Sequence, residues 1–383
     1  MKIASLFATN APLGSIGESE LLNALPDGAY ITDVNRKILF WNDAAERITG
    51  WRASEVVGRS CQDSLLVHVD KDGNRLCGHD TCPLHRSIVT RQPSEEPLLV
   101  FAKCKSERRL PVEVSVAPIT NAAGEVVGGI EIFRDERNSL QDLLRAKTIQ
   151  DQSLACRLPP DHRVEFQMLY QPRDVVGGDF YQIEQLDEHR YGVLIADAIG
   201  HGVAAALYTM QLRMLWADHH DLLDQPAMFL RTINRQLHAL VYEAGFFCTA
   251  AYLIYDSAAG LVRCVRAGHP SPLILRGADG QAETLGQSQS VLGMKPDTAY
   301  TEYQTRLTPG DRLLLYTDGA TEIFDAHDAL LDPEGLARLA REQMAGAADG
   351  SLDLKILAEK LLQYSNQIRL NDDLTLIQIH RLV

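Results

Sequence analysis

Val176-Gly177-Gly178-Asp179-Phe180-Tyr181 and, a little further on, Ala196-Asp197-Ala198-Ile199-Gly200-His201-Gly202 decide how this chain is read. Each aspartate stands near glycines that let backbone approach a ligand, and Asp197 directly follows the apolar run Val193-Leu194-Ile195-Ala196, which reads as a buried strand. Two more acids share that setting. Leu313-Leu314-Leu315-Tyr316-Thr317 ends in Asp318-Gly319, and Asn371-Asp372-Asp373 opens the strand-like Leu374-Thr375-Leu376-Ile377-Gln378-Ile379. One acid at a strand end is ordinarily a turn former or a helix cap. Four in the same position, one of them beside Gly200-His201-Gly202, point to a shared ligand.

Hard carboxylate oxygens without a Cys or His framework favour Mg²⁺ or Mn²⁺ over zinc. Two such ions roughly 3.5–4 Å apart clamp a phosphoryl group and acidify a bridging water. The pattern therefore reads as metal-assisted phosphoester hydrolysis.

The order Gly177 to Tyr181, Asp197 to Gly202, Ala267-Gly268-His269-Pro270, Thr317 to Glu322 and Asp372 to Thr375 resembles the stage II sporulation E branch of metal-dependent serine/threonine phosphatases, the PPM superfamily. The resemblance runs from about residue 160 to the C-terminus. It implies that Asp197 bridges two metal ions with the Ala198 carbonyl as a neighbouring ligand, that Asp179 holds one ion directly or through water, and that Asp318 and Asp372 complete the sites. Asp373 is the less favoured ligand of its pair. Gly200 and Gly202 would turn the loop beneath the ions, ahead of a helix from Val203 to about Ala217, and His201 and His269 would position water or phosphate or fill hydrogen-bonding roles in turns. Gln182, where relatives carry an acid, and Ala198-Ile199, where they carry small polar residues, depart from the pattern without removing a ligand side chain.

Composition agrees with several domains in one chain. The 383 residues exceed a usual single core, and 45% apolar residues suffice for sizeable ones. A net charge of −14 argues against nucleic acid or an anionic membrane as partner. No apolar run approaches the ~20 residues of a bilayer span, and Ile3 to Ala8 is too short for a signal peptide. Seven cysteines, an odd number, do not suggest a secreted disulfide framework. A cytoplasmic protein is expected.

The N-terminal third reads separately. Gly28 to Asp33 and Lys37 to Asn42 form strands around a turn at Asn35-Arg36, a short helix from Asp43 to Ile48 ends at Gly50, and Leu98 to Cys104, Leu110 to Ile119 and Val126 to Phe133 are further strands. With Leu25-Pro26-Asp27-Gly28, Ile48-Thr49-Gly50-Trp51 and the closing Gly128 to Asp135, this resembles a PAS sensor domain over about residues 19 to 135, which implies a five-stranded antiparallel sheet and a sensing or dimerising role. Inside it lie Cys61, His68, Cys77 and Cys82, with His79 and His85 nearby. Three thiols and an imidazole could hold Zn²⁺ or an iron–sulfur cluster, or the cysteines could be small buried hydrophobes. Cys104, Cys156, Cys248 and Cys264 read as core.

Between the two parts, Leu140, Leu143, Leu144 and Ile149 give a partial helical stripe, suited to packing on its own domain or to a dimeric coiled coil that would make the chain a homodimer. Helices are predicted at Gln225 to Tyr242, Pro333 to Arg341 and Leu352 to Ile368, and strands at Phe247 to Tyr255 and Leu261 to Ala267. The expected fold class is α+β: a tail over 1–18, a PAS domain over 19–135, a helical linker over 136–160 and an α-β-β-α sandwich over 161–383, with the metals in a cleft between the sheets. The family resemblance implies a bacterial signalling phosphatase acting on a phosphoserine or phosphothreonine protein, a STAS-type anti-anti-sigma factor, with partner switching as output. The competing readings are a catalytically silent, metal-dependent scaffold that binds such a protein, and a cysteine-based metal or redox sensor.

Overall fold

The computed structural model describes residues 17–383 except 64, 72, 79–80, 95, 242–244, 278–280, 326, 349 and 366–370. The tail before residue 17, His79 and the predicted helix ends at Tyr242 and 366–368 lie outside the described residues. The chain divides into two compact units, one ending at Asp142 and the other beginning at Leu143.

The first unit contains α1 (Glu18–Asn23), β1 (Gly28–Asp33), β2 (Ile38–Trp41), α2 (Asp43–Thr49), α3 (Ala53–Val56), α4 (Pro83–Thr90), β3 (Leu98–Lys103), β4 (Arg109–Thr120) and β5 (Val126–Asp135). Its strands form one antiparallel sheet in the order β2-β1-β5-β4-β3. The alternation Val112, Val114, Val116 turns one face of β4 inward, as period two requires, and all three are buried. Asn42 starts α2 by accepting the Ala45 N–H at 2.8 Å, and Gly50 ends it in the left-handed region at φ 76°. Helix α4 lies against the sheet at Gly129, where a Cβ would stand 2.8 Å from Leu84 Cδ1.

The second unit begins within α5 (Arg137–Leu154) and continues through β6 (Val164–Gln171), β7 (Asp179–Gln185), β8 (Arg190–Ala198), α6 (Gly202–Asp218), α7 (Pro226–Val241), β9 (Cys248–Asp256), β10 (Leu261–Ala267), β11 (Leu273–Leu275), β12 (Ala282–Thr284), β13 (Glu302–Arg306), β14 (Arg312–Tyr316), α8 (Asp332–Gly346), α9 (Leu354–Ser365) and β15 (Leu374–Arg381). Two five-stranded sheets result, β13-β10-β9-β8-β7 and β12-β11-β14-β15-β6. Val193 and Ile195 of β8 meet Leu313, Leu315, Ile377 and Ile379 between the sheets. Leu194 and Ala196, the alternate residues, join a core with Leu212 and Trp216 of α6 and Phe229 of α7. Leu314, Leu374 and Leu376 join the core that holds Leu336 of α8 and Leu357 of α9. The layers are therefore helix, sheet, sheet, helix, the predicted sandwich. Strands buried on both faces read as unbroken apolar runs, which is why β8 and β14 were legible. Burying a side chain such as Phe180 contributes about 1.5–3 kcal/mol. Strands β6, β11, β12 and β13 were not foreseen; β11 and β12 have three residues each, too few to show a period.

Candidate metal centre

The register of the first sheet builds half of the site. Asp179, the first residue of β7, lies directly opposite Asp197 near the end of β8, and Thr249 of β9 flanks Asp197 on its other side. The second sheet supplies the rest. Strand β14 stops at Tyr316 and runs through Thr317 into a 3₁₀ turn at Asp318–Ala320, while Asp372 and Asp373 lead into its neighbour β15. Gly319 sits so close to that neighbour that a Cβ would stand 2.0 Å from the Asp373 carbonyl oxygen.

Asp179 is 1% exposed. The hydroxyls of Thr317 and Thr375 donate to its Oδ2 at 2.8 and 2.6 Å, so the second sheet anchors an acid of the first. Its Oδ1 is buried with no hydrogen-bond partner. Burial, then the Asp373 charge, raises the Asp179 carboxyl well above the usual range. Burial followed by the charges of Asp179, Asp318, Asp372 and Asp373 pushes Asp197 up to about 10. Burial, Asp372 and Glu322 push Asp318 up to about 6. Acids that raise one another in this way form a site that lacks positive charge. Hard oxygens, crowding of like charge and an unpartnered buried oxygen suit a divalent cation of the Mg²⁺ or Mn²⁺ type, while among the described residues no three His, Cys, Asp or Glu side chains converge closely enough to hold one by themselves.

Asp373 is engaged differently. Its two oxygens accept the backbone N–H groups of Arg173 and Gly178, each at 2.6 Å, which pins the loop leading to Asp179. The Ala198 carbonyl lies over the same loop: a Cβ on Gly178 would meet it at 3.0 Å and the Gly200 carbonyl at 2.9 Å. Gly200 and Gly202, at φ 83° and 76°, turn the chain from β8 into α6. His201 is exposed and its Nδ1 lies 2.8 Å from Asp174 Oδ2. His269 is buried below the acids, where its Nδ1 and the Thr249 hydroxyl share a 2.8 Å hydrogen bond; burial, then Arg266, lowers it to about 3, so it is neutral. A groove lined by Glu322, Phe324, Asn371 and Asp372 opens beside Gly319.

Several supporting residues escaped the sequence reading. Thr317 and Thr375 stand inside the quoted motifs but were given no task. Gln150 of α5 offered no signal at all: it donates to the Gly177 carbonyl at 2.7 Å and accepts the Gly177 N–H at 3.2 Å and the Tyr170 hydroxyl at 3.3 Å. The helix read as a linker thus braces the Gly177-Gly178-Asp179 turn.

The cysteine segment is a separate place, in the first unit. Cys61 and Cys82 are buried in one apolar cluster, Cys77 is buried as well, and His68 is 3% exposed. The His68 Nε2 stands 3.7 Å from Glu131 Oε1. Burial, then Arg109, lowers His68 to about 4, and burial, then Cys82, raises Glu131 to about 8. With the imidazole turned to a carboxylate, these residues do not fit a Cys₃His zinc site or a cluster as placed.

A four-layer sandwich whose seam gathers aspartates from both sheets is the architecture of a PPM-type phosphatase domain. Residues 187–382, more than half of the chain, match the family model described as stage II sporulation protein E (SpoIIE), and the chain belongs to that family; residues 19–135 match the PAS fold. Phosphoserine phosphatase RsbP of Bacillus subtilis (strain 168) is 35% identical over 188 residues, 48% of this chain and 46% of RsbP. Phosphoserine phosphatase RsbU of the same organism is 25% identical over 306 residues, 78% of this chain and 90% of RsbU. The solved SiaA-PP2C domain of Pseudomonas aeruginosa superposes with a TM-score of 0.53 over 65% of this chain and 98% of that one, at 22% identity, which shows the shared fold. Among the described residues, no helix is long and apolar enough to cross a membrane.

Proposed function

We propose that this chain hydrolyses phosphoserine or phosphothreonine on a partner protein, with two Mn²⁺ or Mg²⁺ ions held by the acid cluster. The observation that carries this is the meeting of Asp179 and Asp197 across β7 and β8 with Asp318 and Asp372 of the second sheet. Asp197 with the Ala198 carbonyl beside it, Asp179 through its unpartnered Oδ1 directly or through water, and Asp318 and Asp372 would hold the ions. Bound ions would supply a water acidic enough to be hydroxide near neutral pH and a clamp on the phosphoryl oxygens. Thr317 and Thr375 orient Asp179, and Asp373 holds the loop that presents it.

Membership of the SpoIIE family and similarity to RsbP and RsbU, both phosphoserine phosphatases, support a small STAS-type anti-anti-sigma factor as substrate, in the cytoplasm, with release of a sigma factor by partner switching as output. The PAS unit sets turnover through α5 in a homodimer; Leu144 and Ile149, 48% and 61% exposed, offer that helix an apolar contact. The direct test is phosphate release from a serine-phosphorylated STAS protein with Mn²⁺ and after chelation. Release only with the ion is expected. Equal release after chelation overturns the metal assignment, and tight binding of that protein without release makes the chain a scaffold.

A further inference from the structure

A short strap lies over the inner face of the PAS sheet in a conformation it would not adopt alone. Leu65 and Leu66 are buried in the core of that face, and His68 and Val69 are buried as well. Between them Val67 has φ 37°, in the left-handed region that a β-branched residue enters only under constraint. Backbone bonds supply the constraint. Val69 and Phe101 of β3 exchange two hydrogen bonds at 3.1 and 2.8 Å, the Lys103 N–H donates to the Leu66 carbonyl, and the Arg109 guanidinium of β4 donates to the Val67 carbonyl. One side chain of the strap meets an ionisable group of the sheet: His68 Nε2 stands 3.7 Å from Oε1 of Glu131 in β5. Glu131 is 1% exposed, and that oxygen is buried with no hydrogen-bond partner. A buried acid and a buried base thus face each other where a charge on either is poorly compensated.

We propose that Glu131 and His68 form a proton-operated latch: while the pair is uncharged the strap Leu65 to Val69 stays on the sheet, and a charge on either member lets it lift without unfolding the rest of the PAS unit. With the strap lifted, both groups meet water and titrate at their ordinary 4.5 and 6.5, whereas in the closed form burial holds Glu131 up to about 8 and His68 down to about 4. A raised acid favours lifting as pH climbs from 4.5 to 8, and a lowered base favours it as pH falls from 6.5 to 4. The two oppose each other between 4.5 and 6.5, where lifting is least. From 6.5 to 8 only Glu131 of the pair acts, and lifting grows by up to about tenfold per pH unit. The titratable and charged groups around the pair are Tyr30 of β1, opposite Glu131 in register, Cys61 and Cys77 of the covering loop, Cys82 at the start of α4 and Arg109 of β4, while Arg36 acts on the Cys61 and Cys82 thiols. Cys82, lowered to about 6, opposes Glu131 over the upper range, so the latch is read from variants compared with wild type.

The latch is independent of phosphate hydrolysis, and hydrogen exchange on the full-length chain tests it, with the intrinsic pH dependence of amide exchange divided out. The Val69 and Phe101 amides, which bond strap to sheet, report lifting, and the amides of β1 report unfolding of the unit. The strap amides are expected to be less protected than those of β1 at every pH. Between pH 6.5 and 8 they should lose about tenfold more protection in wild type than in Glu131→Gln. A second variant reads the base: as pH falls from 6.5 to 5.5, His68→Gln should gain about tenfold more protection at the strap than wild type, because nothing then opposes Glu131. Strap amides as protected as those of β1 overturn the proposal, since the strap would then leave only when the whole unit unfolds. So does the same pH dependence in wild type and either variant.

Discussion

Asp197 stands against four other carboxylates, and the charge that would make it a ligand is costly to the fold. Asp197→Asn should abolish hydrolysis at saturating Mn²⁺, because the amide cannot replace a charged bridging oxygen. In metal-free protein at neutral pH the same change should raise stability by at least about 1 kcal/mol, since Asn spares the fold the cost of protonating a buried acid that titrates near 10, and thermal melts in chelator would show it. Wild-type activity in this variant would remove Asp197 from the site. Glu131 gives a different signature. Its folded value of about 8 lies above its ordinary 4.5, so the stability present at low pH is lost as pH rises toward 8. His68, lowered from 6.5 to about 4, acts the other way and costs stability only as pH falls below 6.5. Above pH 6.5 Glu131 lowers the stability of the PAS unit as pH rises, while Cys82, lowered from 9.0 to about 6 chiefly by its contact with the Cys77 thiol, raises it over the same range, so the wild-type slope is the difference of the two. Denaturant titrations followed by Trp41 and Trp51 in a Trp216→Phe background would separate them, since Glu131→Gln should make stability rise with pH by about 1.4 kcal/mol per unit more than the wild type does until about pH 8.

Helix α5 shows where sequence reading stops. The acids were legible because each stands by an apolar run or a glycine, both local signals: Asp318 follows Leu313 to Tyr316 and precedes Gly319, Asp372 lies just before Leu374 to Ile379, and Asp179 follows Gly177-Gly178. The role of Gln150 is fixed by a partner 27 residues away and leaves no mark on its own neighbourhood, so the helix passed as a connector. His269 was legible as a residue near the site but not as a buried neutral prop for Thr249, because burial belongs to the packed sheets. The Cys61 to Cys82 spacing suggested ligands, whereas the fold pairs His68 with Glu131 from a strand more than sixty residues on. Gln150→Ala should strip two hydrogen bonds from Gly177 in the turn that carries Asp179 and a third from the Tyr170 hydroxyl, lowering stability by about 1–3 kcal/mol and turnover more than substrate affinity. A melt and a kcat against KM comparison check both, and an unchanged kcat would make the brace irrelevant to catalysis.

At the scale of the molecule, the catalytic unit needs part of the segment between the domains, since Leu154 lies in the same core as Phe180 and Leu194. A chain of residues 136–383 should therefore fold and hydrolyse phosphoprotein with Mn²⁺, while one of residues 156–383, lacking Gln150 and Leu154, should melt lower and turn over less. Equal melts and rates would place the whole unit after the helix. The acids themselves come from opposite sides of a seam, Asp179 and Asp197 from one sheet and Asp318 and Asp372 from the other, with Thr317 and Thr375 fastening across it. Neither sheet holds a usable half. On the proposed function, a newly made chain with both sheets formed but not yet pressed together would have its helices and strands and no power to remove phosphate, so activity should appear only when the two sheets dock.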